Sequence, residues 1–82
     1  MEILVKGKKV TAESTLEYKP NPKRPGFNAH KRYEQYCEAT TVAEYFELNE
    51  KIVDAKARAD LNYDFQNGHV LIDGEMHADA AE

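Results

Sequence analysis

Cys37 is the single thiol in the sequence and His30 stands seven residues before it, which makes this pair the first candidate for nucleophilic chemistry. A thiol nucleophile needs a base within hydrogen-bond reach and a third group to orient that base. Seven residues along a helix put the two side chains two turns apart, and no orienting group lies nearby, so Cys37 is expected to be a buried structural thiol. His69, Asp73, Glu75 and His77 are of metal-ligating type, yet their spacing fits no zinc or calcium loop. Asp60 and Asp64 share one helical face, as paired carboxylates in acid–base chemistry would, but with no pocket around them they read as solvated surface. The expectation is a protein that is not an enzyme and that carries no catalytic residue, metal or cofactor.

Binding chemistry is better represented. Residues 21–27 read Asn-Pro-Lys-Arg-Pro-Gly-Phe, and Lys31 and Arg32 follow. Lys23, Arg24, Lys31 and Arg32 thus stand with an aromatic ring beside a backbone that prolines stiffen. Such an arm suits a run of phosphates, or the insertion of Arg24 into a narrow minor groove. The segment partly resembles the AT-hook, a minor-groove motif with an Arg-Gly-Arg-Pro core, but it has no glycine between two arginines. The competing reading is a surface loop whose cations keep it soluble or pair with the acidic half of the chain. A second contact set, Arg58, Asn62, Tyr63 and Gln66, lies on the outward face of the last predicted helix. There Asp60 and Asp64 oppose one guanidinium, which disfavours a polyanion. Tyr18, Phe27, Tyr33, Tyr36, Tyr45, Phe46, Tyr63 and Phe65 are many aromatics for so short a chain. Most must form the core, and those left over would make a partner surface.

These residues need a scaffold, and 82 residues allow one domain with a small core. Hydrophobic residues are 41% and charged residues 32%, ordinary for a soluble globular chain. With no apolar run of bilayer length and no signal-peptide pattern, the expected location is the cytoplasm and no membrane partner is expected. One cysteine cannot close an internal disulfide, so stability must come from packing. The net charge of −4 conceals a division, because residues 1–32 hold eight cations against three carboxylates while residues 33–82 hold three against twelve. Either a basic arm projects from an acidic body, or the two halves neutralise each other in the fold.

Residues 2–6 are a short apolar run closed by Gly7-Lys8, and residues 9–12 resume with β-tolerant side chains, which fits a strand and turn or a loose hairpin. Residues 15–18 alternate and extend it. Pro20, Pro22, Pro25 and Gly26 exclude regular helix from residues 19–28 and predict an extended surface connector. Asn28 is placed as N-cap of a first helix over about residues 29–38, with Tyr33, Tyr36 and Cys37 on one face. Thr41-Val42-Ala43-Glu44 has the spacing of a capping box and starts a second helix that buries Val42, Tyr45 and Phe46. Ala57, Leu61 and Phe65 recur every four residues, and Asn67-Gly68 supplies the left-handed stop of a third. Ile52 and Val53 are too apolar for a free loop, so either that helix begins near Glu50 or residues 49–56 form a turn folded onto the core. Residues 69–73 predict a final strand, able to pair with Ile3 to Val5, and residues 75–82 an acidic tail that frays.

The expected fold class is α+β. A single domain over residues 1–74 comprises a strand or hairpin (1–18), the proline-rich basic connector (19–28), a body of three short helices (29–68) and a C-terminal strand (69–73). Helices this short do not persist alone in water, so each must bury its apolar stripe on its neighbours. Two helices, a turn and a following strand give a helix-turn-helix-like arrangement with a small wing, in which the last helix would enter a major groove.

The runs Asn21-Pro22-Lys23-Arg24-Pro25-Gly26, His30 with Arg32-Tyr33-Glu34 and Tyr36, Thr41-Val42-Ala43-Glu44, and Ala59-Asp60-Leu61-Asn62-Tyr63-Asp64 with Gly68 resemble small uncharacterised accessory proteins of tailed bacteriophages. The resemblance covers roughly residues 20–72 and implies a viral accessory protein of the host bacterial cytoplasm; it implies nothing about catalytic residues. The leading expectation is a non-enzymatic binding module that docks on a host or phage protein, or on nucleic acid, through its helical body and basic connector. The alternative is an acidic inhibitor that mimics DNA and occupies the nucleic-acid groove of a host protein through Glu44, Glu47, Asp60 and Asp64.

Overall fold

A computed structural model describes residues 2–78. Its elements run β1 (Glu2–Val5), β2 (Lys8–Thr11), β3 (Leu16–Tyr18), α1 (Asn28–Tyr36), α2 (Val42–Asn49), α3 (Ala57–Gln66) and β4 (Val70–Ile72). Three helices stand with two small antiparallel sheets, β1–β2 and β3–β4, so the α+β class, the N-terminal hairpin and the C-terminal strand are as expected. The hairpin closes through Lys6 and Gly7, whose φ angles of 50° and 85° are both positive. That is the two-residue type I′ turn whose twist suits paired strands. Val5 and Val10 enter the core from one face of the hairpin.

The last strand does not pair with Ile3 to Val5. It pairs with β3, in the register Leu16↔Ile72 and Tyr18↔Val70. The tight turn has already committed β1 to β2, whereas β3 and β4 both place apolar residues at alternate positions that face inward together.

The start of α1 also differs from the expectation. Phe27, not Asn28, occupies the N-cap position and gives no side-chain cap, and the helix ends at Tyr36 rather than Glu38. The chain enters from Gly26 at φ 94°, and Phe27 O accepts from His30 N and Lys31 N, so the first turn closes one residue early on backbone bonds. By contrast α2 carries the expected Thr41 cap, with Thr41 Oγ1 accepting from Glu44 N at 3.2 Å, while the returning bond of the Glu44 carboxylate falls one residue earlier, on Thr40 N at 2.7 Å. Of the two readings for residues 49–56, the folded turn is the one found. Ile52 is buried, Val53 points outward, and α3 begins only at Ala57. α3 stops on Gly68, with His69 N donating to Asp64 O at 2.8 Å and Gly68 N to Phe65 O at 3.2 Å, the paired bonds of a Schellman motif.

The core is a tyrosine cluster inside an aliphatic shell. Tyr33, Tyr36 and Tyr45 are fully buried among Val42, Leu61, Val70 and Ile72. Neighbouring rings in the set that also holds Tyr18 lie between 5.0 and 6.3 Å apart, the range in which aromatic pairs attract beyond simple area burial. Phenols in a core need partners for their hydroxyls, and three find them on distant segments. Tyr33 donates to Lys19 O at 2.6 Å, Tyr36 to Asp64 at 2.6 Å, and Tyr45 to Ala57 O at 2.6 Å. The rings therefore fix the connector and both ends of α3 as well as filling space. The segment after β4 is held for its first residues, since Glu75 turns back onto Ile72 and accepts Lys8, and the His77 ring meets Phe65 edge-on. The rest of the predicted acidic tail, residues 79–82, lies outside the described residues.

Candidate nucleic-acid interface

Asp60 and Asp64 do not form a solvated face. One turn apart on α3, both point into the protein with Leu61 and Phe65, and each takes a cation from the N-terminal half. Asp64, 0% exposed, accepts from Lys23 Nζ at 2.8 Å and Tyr36 Oη at 2.6 Å, with His69 Nδ1 at 3.4 Å. Asp60 accepts both the Nε and an Nη of Arg32, at 2.7 and 3.1 Å, the two-pronged geometry that favours arginine over lysine. This pairing raises the Arg32 guanidinium pKa above its ordinary value, against the opposing effect of burial. Lys8 and Glu75 make the third such bridge. All three join a residue before position 33 to one after it, so for these residues the halves neutralise each other.

The connector is pinned at several points. Lys19 N donates to His69 O at 3.0 Å, Asn21 Nδ2 reaches His30 O and Glu34 Oε1 on α1, and Asn21 Oδ1 accepts Lys23 N in a local turn. The Lys23 ammonium, besides meeting Asp64, sits 4.2 Å from the centre of the Tyr63 ring. Two of the four predicted arm cations, Lys23 and Arg32, are therefore held inside the molecule. Arg24 and Lys31 remain exposed, and neither forms an ion pair among the described residues. Of the α3 set, Arg58 and Tyr63 are exposed. Asn62 is engaged twice, accepting Lys6 N at 3.0 Å and donating to Arg58 O at 2.8 Å, so it serves as an anchor for the hairpin. Gln66 is half-buried on the same helix.

Two depressions flank the first turn of α1. One, of about 460 Å³, is lined by Pro22, Lys23, Arg24, Phe27, Tyr63 and His69, with Ala29 at its edge. The other, of about 540 Å³, lies between α1 and the turn before α3, where Lys31, Arg32, Lys51 and Lys56 surround Asn28, Gln35 and Val53. Together they hold six of the chain's eleven Lys and Arg side chains and, among the described residues, one carboxylate, Asp54. The helices whose N-termini border the second depression, α1 and α3, both lack a side-chain cap, which leaves amide dipoles that favour negative charge. Lys51 and Lys56 are absent from the sequence-based site. They flank Ile52-Val53, and their signal was a pair of cations either side of an apolar dipeptide, which gains a direction only once Ile52 is known to be the buried member.

Cys37 is half-buried rather than buried, and its thiol pKa is pushed up by burial and by Glu34 and Glu38, which keeps it protonated and poorly nucleophilic. Among the described residues no three His, Cys, Asp or Glu side chains converge as metal ligands, and no helix is long and apolar enough to cross a membrane. No family model, curated protein or solved structure matches the chain.

Proposed function

We propose that this chain is a non-enzymatic accessory module that docks on nucleic acid through the face around the first turn of α1, with Arg24, Lys31, Lys51 and Lys56 as its free cations. The observation that supports this reading is the segregation of charge: of the six cations that line two adjoining depressions, Lys23 and Arg32 are paired with Asp64 and Asp60, and the other four face one carboxylate, Asp54, among the described residues, on a chain whose net charge is −4. At physiological salt the acidic remainder is screened beyond about 8 Å, so local sign governs a phosphate that has reached this face. Asp60 and Asp64 are occupied by internal cations, which removes half of the contact set that a DNA mimic would need. The phage-type origin and action in a bacterial cytoplasm belong to the same proposal and rest on the sequence motifs.

The test is titration of labelled single-stranded and duplex DNA at two salt concentrations. Binding should weaken steeply with salt, and K31A/K51A/K56A should lower the affinity and flatten the salt slope by about 0.7–0.9 for each phosphate contact removed. Absence of binding to either form at low salt overturns the proposal.

A further inference from the structure

The partner class can be narrowed, on the premise that the face just described binds nucleic acid. We infer that the ligand is single-stranded, with a base seated against Phe27 and Tyr63 beside Arg24, and the neighbouring phosphates crossing the first turn of α1 toward Lys31, Lys51 and Lys56.

Phe27 and Tyr63 are 57% and 54% exposed, on a chain that buries most of its other rings. Both line the smaller depression, with Arg24 and His69. Exposed rings next to a guanidinium are the parts of a stacking platform, because every base has a π-face and every nucleotide a phosphate. Lys23 covers one face of Tyr63 and fixes that ring, being itself held by Asp64. The Tyr63 half of the platform is therefore set before a ligand arrives. Continuity comes from the start of α1: Phe27 and Ala29 line the aromatic depression and Asn28 between them the cationic one, so a site for bases and a site for phosphates meet there.

A duplex fits less well. Its bases are stacked on each other and cannot lie on a protein ring, and reading them in a groove needs free polar side chains on a helix. On α3 the Asn62 amide is spent on Lys6 and Arg58, and Asp60 and Asp64 face inward, so Arg58 is the one guanidinium left there.

The experiment compares three labelled probes of equal length by anisotropy: oligothymidylate, the same strand with abasic sites, and a duplex. Oligothymidylate should bind best. F27A and Y63A should each weaken it by roughly tenfold or more, toward the abasic level, while Y63F keeps the ring and the affinity. K51A/K56A should lower affinity for all probes and leave the ratio of base-bearing to abasic strand unchanged. Circular dichroism of F27A and Y63A, both at exposed positions, establishes that they are folded. Equal affinity for the base-bearing and abasic strands, or tighter binding of duplex, overturns this inference and leaves nucleic-acid docking standing. Loss of binding to all three probes at low salt overturns both.

Discussion

Asp64 accepts from Lys23 and Tyr36, with the His69 ring nitrogen beside it, in a site closed to water, which makes it the residue whose removal should be felt most. Asp64→Ala leaves the Lys23 ammonium and the Tyr36 hydroxyl without their acceptor. Breaking a buried pair in this way costs about 3–5 kcal/mol, so urea unfolding should show a large fall in midpoint. Asp64→Asn keeps an acceptor for Tyr36 but loses the charge and sets an amide NH2 where the oxygen facing Lys23 stood, and it should fall between the parent and the alanine variant. Equal stability of all three would mean that the network contributes nothing. The sequence disclosed the shared helical face of Asp60 and Asp64 but not its direction, because carboxylates are ordinarily outside. Nothing local revealed the cations that turn them inward, since Arg32 lies 28 residues from Asp60. Opposite charge in the two halves was the legible trace of that pairing.

At the scale of elements, most local chemistry was readable, the bounds of α1 excepted, and long-range pairing was not. The period of Leu61 and Phe65, the Thr41 cap and the Gly68 stop each act within a few residues, and each stands where the spacing put it. The partner of β4 depends on which edge remains open after the first hairpin closes, a property of no single segment. A sharper reading of Asp73-Gly74 was possible: at φ 53° and 76° the pair makes a second tight reversal, bringing Glu75 back onto Ile72. α2 has its first amides satisfied from outside the helix as well as by its cap, with Val42 N on Ser14 O and Ala43 N on Ala12 O, both at 2.9 Å. Thr41→Ala should therefore cost about 1 kcal/mol, seen as a small shift in the denaturation midpoint with helical content unchanged. A shift several times larger would show that Thr41 also holds the bridge to Thr15.

For the molecule as a whole, building a core from phenols ties stability to alkaline pH. Burial raises the pKa values of Tyr18, Tyr33, Tyr36 and Tyr45 above their ordinary value, with Asp64 adding to the effect on each. Unfolded tyrosines lose their protons near pH 10 while these keep theirs, so above about pH 10 the unfolded state binds fewer protons and stability falls as pH rises. Phenolate absorbance from these four rings should appear together with loss of the helical circular dichroism signal. Ionisation that precedes unfolding would contradict the depth of their burial. The cross-connections between halves also bear on synthesis. Lys23 and Arg32 emerge from the ribosome ahead of Asp60 and Asp64, and at roughly 5–20 residues per second the basic segment waits for seconds before its carboxylate partners follow it out. The arm cannot take its final course until translation has passed α3, and whatever anion it meets in that interval competes with its own carboxylates.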